Sequence, residues 1–128
     1  SYTRILELLA ANDKLMKHSH VVVLGATYKS DIDDLRESPV VRLLERLQNK
    51  VQNLTVIEPY AKEIRINEQV LQVVKYDAAI LQKADLVVIG TPHNCFDWKS
   101  VHDHASLIFD SKNVMEENGL LSDKVAKL

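Results

Sequence analysis

The chain has one cysteine, three glycines and three prolines in 128 residues. The single cysteine, Cys95, excludes an internal disulfide and fits a reducing compartment. With only Gly25, Gly90 and Gly119, neither a G-x-G-x-x-G dinucleotide fingerprint nor a P-loop can be assembled. No Pro/Gly-rich linker, internal repeat or low-complexity tract divides the chain. No apolar run approaches the ~18–20 residues that a membrane-spanning helix needs. No charged-then-apolar leader opens the chain, so the expectation is a cytoplasmic protein without a signal peptide. Basic runs are missing too, and a net charge of −2 argues against non-specific nucleic-acid binding. Neither a membrane nor a nucleic acid is an expected partner.

What is present is ordinary for a soluble domain: 46% hydrophobic and 27% charged residues. The length suits one domain with a sizeable core. The chain is organised around His20 to Leu47. Val21, Val22, Val23 and Leu24 form a β-branched apolar run, which predicts a parallel strand covered on both faces. Gly25 releases the chain into an acid-rich loop. Ser38 and Pro39 read as N-cap and first residue of a helix. Val40, Leu43, Leu44 and Leu47 then give one apolar stripe facing a sheet.

The remaining elements follow in order. Residues 1–18 read as helical, with Ile5, Leu8, Leu9 and also Leu15 and Met16 near a 3.6-residue period, and with no capping residue. Strands are expected at 54–58, 70–75, 86–90 and 106–110. Residues 60–68 read as a short polar helix or turn. Asp77 caps a helix through Lys83, Trp98 to His104 forms another, and 114–128 reads as a turn plus a terminal helix. Strands alternating with helices predict an α/β fold, a doubly wound and mainly parallel sheet of five or six strands, Rossmann-like without its fingerprint. Such sheets bind ligands at the carboxyl ends of their strands. That edge carries residues 25–36, Glu58-Pro59, Thr91 to Asp97 and Asp110 to Asn113.

The loop after the first strand sets Asp31, Asp33, Asp34 and Glu37 against Lys29 and Arg36. Its composition suits a solvated acidic loop. It also suits a divalent cation, if the carboxylates converge. A third reading has Lys29 and Arg36 holding phosphate while the carboxylates orient them.

The run G-A-T-Y-K-S-D-I-D-D-L-R-E-S-P, residues 25–39, resembles the signature of the UDP-glucose/GDP-mannose dehydrogenase family. It opens that family's C-terminal domain, where it usually reads G-x-[AS]-[FY]-K-x-D-x-D-D-x-R-E-S-P. Three further stretches agree in order and spacing. Val56-Ile-Glu-Pro-Tyr60 is similar to the second strand ending in Asp-Pro, with Glu58 in place of Asp. Ala84 to Phe96 resembles an A-D-x-[IV]-[IV]-x-T-x-H-x-x-F segment, and Phe109-Asp-Ser-Lys-Asn resembles the last strand and the basic residue after it. Thr27, Ser30 and Lys112 depart from the usual residues, the last standing where Arg is usual.

The resemblance implies an NAD-dependent enzyme that oxidises the C6 hydroxyl of a UDP-sugar to a carboxylate. It implies that residues 1–18 end a helical connection from a central domain and that 19–128 form the nucleotide-sugar-binding domain. NAD would be bound mainly by an N-terminal domain outside this sequence, with a homodimer formed through the central region. Carried over residue by residue, Tyr28 and Lys29 contact the nucleotide-sugar, Arg36 reaches NAD on the other domain, and Lys112 contacts substrate. Tyr28, the I-D-D-L-R-E-S-P run and H-x-x-F-D-aromatic lean towards the UDP-N-acetylhexosamine 6-dehydrogenase branch. Cys95 lacks the Gly-rich context of the family's nucleophile, so it is expected to be an ordinary, partly buried thiol, and His93 to have a structural or interdomain role. No catalytic residue and no metal ligand is assigned, and the isolated chain is expected to be inactive. The alternative is a stand-alone nucleotide-binding or interaction domain. A phospho-receiver domain fits less well, because Gly25-Ala-Thr-Tyr-Lys separates the first strand from the acids.

Overall fold

The computed structural model describes residues 1–27 and 38–128. Its elements are α1 (Tyr2–Ala11), β1 (His20–Leu24), α2 (Pro39–Leu47), β2 (Asn53–Ile57), β3 (Glu63–Ile66), β4 (Gln69–Val74), α3 (Ala78–Lys83), β5 (Leu86–Ile89), α4 (Trp98–His104), β6 (Ile108–Asp110), α5 (Val114–Glu117) and β7 (Val125–Lys127). Among the described residues they build one sheet of seven strands in the order β3-β4-β2-β1-β5-β6-β7. Only β3 runs antiparallel to its neighbour.

The apolar run at Val21 to Leu24 makes β1 the central strand, buried on both faces. Val22 pairs with Thr55 of β2 on one side and Val87 of β5 on the other. Side-chain alternation divides the core in two. Val21, Val23 and Val56 pack against Ile5 and Leu9 of α1 and Leu44 and Leu47 of α2. Val22, Leu24 and Ile57 pack against Leu81, Val101 and Met115 from α3, α4 and α5. The predicted caps form. The Ser38 hydroxyl accepts from Val40 N at 3.2 Å and Val41 N at 3.4 Å, and Asp77 accepts from Ala79 N at 2.9 Å.

Three expectations change. Residues 60–68 are not a helix or turn alone, because Ile64 and Ile66 alternate with Glu63 and Arg65 and bury on one face of β3. Asn67 and Glu68, at φ 48° and 63°, then turn the chain into β4. The terminal helix expected within 114–128 is only the four-residue α5, and β7 follows it beside β6. These two strands raise the count from five or six to seven. Helix α1 stops at Ala11, where Asn12 turns back to bond Leu8 O at 2.8 Å and Asp13 takes φ 58°. Leu15, expected inward, is 60% exposed.

Candidate functional site

The sheet reverses its winding at β1, whose chain continues to β2 on one side while β5 lies on the other. The connections after β1 and β5 diverge there, which is where doubly wound sheets open a ligand crevice. Two glycines allow that divergence. A Cβ on Gly90 would stand 2.2 Å from Gly25 O, and one on Gly25 would stand 2.2 Å from Thr91 O. Gly25 also has φ +84°, a left-handed value that costs glycine little. Neither position has room for a side chain.

Glu58, at the end of β2, ties this divergence together. Its Oε1 accepts from Ala26 N at 2.7 Å and Thr27 N at 3.2 Å, and lies 2.9 Å from His93 Nε2. Its Oε2 accepts from Tyr60 N at 2.7 Å. Oε1 acts as an acceptor throughout, so Nε2 is the protonated ring nitrogen and donates to it. Both side chains are fully buried. Thr27 Oγ1 lies 3.2 Å from the same nitrogen, and the Thr91 hydroxyl donates to Thr27 O at 2.7 Å. The His93 ring sits between Tyr60, at 4.8 Å, and Phe96, at 5.7 Å between centroids. His93 is thus a structural clamp across three connections.

Ser38 closes the same structure from the far side. While it caps α2, its hydroxyl donates to Ala26 O at 2.7 Å. Segment 28–37 therefore leaves from Thr27 and returns at Ser38, two anchors that are both buried and held at one point of the carboxyl edge. The predicted contacts Tyr28, Lys29 and Arg36, and the carboxylates Asp31, Asp33, Asp34 and Glu37, lie outside the described residues.

Lys112 is described. It is exposed, follows β6, and its ammonium has no partner among the described residues. Asp110 shapes its turn. One carboxylate oxygen accepts from Lys112 N at 3.0 Å and the other from Met115 N at 2.8 Å. Asn113 at φ 61° completes the bend. Two strand spacings of about 4.8 Å separate β6 from β1, so Lys112 stands about 10 Å across the sheet from the root of segment 28–37.

Cys95 is exposed rather than partly buried, because it lies on the turn between buried His93 and buried Phe96. The latch at Glu58 was not legible as a latch. Its partners lie 31 to 35 positions away along the chain, or are backbone groups with no sequence signature. The acid closing β2 before Pro59 was the only signal. The same latch decides what this edge does not hold. In dinucleotide-binding folds the acid ending the second strand reads ribose hydroxyls. Here both Glu58 oxygens are already taken by N–H groups, so the edge does not fit NAD in that manner.

No helix among the described residues is long and apolar enough to cross a membrane. The model of the UDP-glucose/GDP-mannose dehydrogenase family, UDP binding domain, matches residues 22–117. A UDP-N-acetyl-D-mannosamine dehydrogenase from Yersinia pestis is 33% identical over 93 residues, which cover 72% of this chain and 22% of that protein. A UDP-glucose 6-dehydrogenase from Rickettsia conorii is 27% identical over 109 residues, 79% of this chain and 25% of that protein. A solved UDP-D-ManNAc dehydrogenase from Pyrococcus horikoshii has the same fold, with a TM-score of 0.71 at 22% identity over 96% of this chain and 28% of that one. The chain thus spans 22% to 28% of the length of these relatives. Signature, fold and family match agree, and the chain belongs to the UDP-glucose/GDP-mannose dehydrogenase family, as its UDP binding domain.

Proposed function

We propose that this chain is the nucleotide-sugar-binding part of a cytoplasmic, NAD-dependent UDP-sugar 6-dehydrogenase. The observation that carries this reading is the shared edge: segment 28–37 is rooted at the switch point by Glu58 and Ser38, and Lys112, whose ammonium has no partner among the described residues, follows β6 on the same edge. Tyr28 offers the nucleotide-sugar a flat face and a hydroxyl. Lys29 and Lys112 offer point charges to sugar or phosphate oxygens, without the planar fork of arginine. Arg36 reaches towards NAD held by another domain, where a bidentate guanidinium suits phosphate. Residues 1–18 end the connection from a central domain through which the enzyme dimerises. In this reading the cofactor accepts the hydrides, and this chain's task is to bind and orient the sugar. The relatives that act on N-acetylated hexosamines favour that class of UDP-sugar.

Calorimetric titration of the chain with UDP, UDP-N-acetylglucosamine and UDP-glucose tests the reading. UDP is expected to bind. Lys29→Ala and Lys112→Ala are each expected to weaken it by about ten- to a hundredfold, the loss of one charge-assisted contact of about 1.5–3 kcal/mol. Unchanged affinity in both variants would sink the assignment. The chain alone is expected to reduce no NAD with any of these sugars.

A further inference from the structure

A cavity of ≈ 730 Å³ opens at the carboxyl ends of β2 and β4. Its volume falls within the roughly 300–1,000 Å³ of small-molecule sites. Its walls are largely apolar: Ile57, Pro59, Val73, Val74, Tyr76 and Phe96. The Phe96 ring is fixed from two sides, by His93 and by an edge-on contact to Trp98 at 5.3 Å. Three polar side chains in the wall are already engaged. Glu58 holds the loop backbones, Tyr76 Oη pairs with Ser100 Oγ at 2.7 Å, and Asp97 accepts from Ser100 N at 3.1 Å. Burial pushes the Tyr76 phenol above its ordinary range against the opposing Ser100 bond, so Tyr76 itself stays uncharged at working pH.

Two exposed lysines, Lys62 and Lys75, also line the cavity. Neither forms an ion pair among the described residues. An apolar bed beside two lysines that make no ion pair among the described residues, with Asp97 turned to the Ser100 N–H, suits a ligand with a flat, apolar body and an anionic group. Glu58, buried beneath its N–H partners, offers ribose hydroxyls no acceptor there, and recognition falls to the ring and the charge.

We propose that this cavity is a second ligand site, apart from Lys112, that takes an aromatic anion with its ring against Phe96 and Val74 and its charge between Lys62 and Lys75. Separation from Lys112 follows from topology. Lys112 follows β6, three strand spacings from β2, or about 14 Å. The ligand's source is either a nucleoside phosphate or a non-nucleotide aromatic acid, which share this chemistry.

The test uses 8-anilinonaphthalene-1-sulfonate, an aromatic sulfonate that fluoresces when bound, titrated into the intact chain. Saturable one-site binding is expected. Joint Lys62→Glu and Lys75→Glu substitution is expected to weaken it at least about tenfold. Ala61→Phe, which places a ring in the cavity from an exposed turn, is expected to do the same without touching charge. Melting curves of both variants verify that they fold. Displacement by AMP but not adenosine assigns the site to nucleoside phosphates, and displacement by benzoate alone assigns it to simple aromatic acids. Unaltered affinity in both folded variants, or no saturable binding, would overturn the proposal. Lys112→Ala should leave the probe's affinity unchanged, so failure here is distinguishable from failure of the substrate reading.

Discussion

Glu58 joins connections that follow three different strands, and its geometry states what it is worth. Each of its four partners is an N–H group held at 2.7 to 3.2 Å, and three of the four bonds are buried. A Glu58→Gln variant keeps the shape but turns one acceptor into a donor, facing either backbone N–H groups or His93. The expected cost is about 2–3 kcal/mol, from lost charge-assisted bonds and a buried donor left unmatched. Urea unfolding at neutral pH measures it, and a loss below about 0.5 kcal/mol would show that the latch is redundant. Asp85 makes a different, pH-dependent contribution. Burial pushes its carboxyl up, but the His20 N–H at 2.8 Å and Lys14 at 3.1 Å outweigh that and hold it below its ordinary value. A depressed carboxylate stabilises the fold above its unfolded pKa of about 3.9, and that contribution disappears as pH falls through the lower folded value. Asp85→Asn should therefore be less stable than the parent at pH 6, with the gap closing below pH 3. A gap that stays constant with pH would contradict this.

At the scale of elements, local signals were legible where they coincided with burial. The Val21 to Leu24 run gave the central strand, and Ser38-Pro39 gave the start of α2 because cap and apolar stripe agree. Elements whose stability comes from a neighbour were missed. Strand β7 has three residues and exists through its pairing with β6. Strand β3 has only two apolar residues and depends on β4 and on α2 beneath it. The candidate site divides the same way. Its signature residues were readable as a motif, but the buried acid and histidine that root the motif meet only through the sheet. The Ser38 hydroxyl serves both levels, since it caps α2 and bonds Ala26 O. Ser38→Ala should cost about 1–2 kcal/mol, the upper part of the range for a cap, because a buried carbonyl loses its donor too. Ser38→Asn should restore the cap but not the second bond, so recovery of only part of the loss is the expected outcome. The β3–β4 turn offers a gain instead. Glu68 holds φ 63°, where a non-glycine residue is strained. Glu68→Gly should raise stability by about 0.5–1 kcal/mol, since glycine relieves more strain there than it adds in unfolded entropy.

For the whole molecule, the decisive question is whether residues 1–18 belong to this domain or only arrive at it. The sheet answers in terms of packing. Ile5 and Leu9 are fully buried and Leu8 nearly so, all in the core cluster that contains Val21, Val23 and Leu44. The first helix also reaches the last strand, through Arg4 Nε donating to Lys127 O at 3.1 Å. Removing α1 would delete three core side chains and uncover the sheet face beneath them. At about 2 kcal/mol for each buried side chain, the loss is about 6 kcal/mol. Domains of this size are stable by only about 5–15 kcal/mol. A chain beginning at Ser19 is therefore expected to be unfolded or aggregating at 25 °C, although it retains every residue of the family signature. A chain with Leu6→Gln, on the exposed face of α1, should fold normally. Cooperative unfolding of residues 19–128 at the parental urea midpoint would mean instead that α1 is a docked appendage. A collapse of stability would mean that α1 completes the core. The carboxyl edge of the sheet would then be coupled, through that core, to the seating of α1.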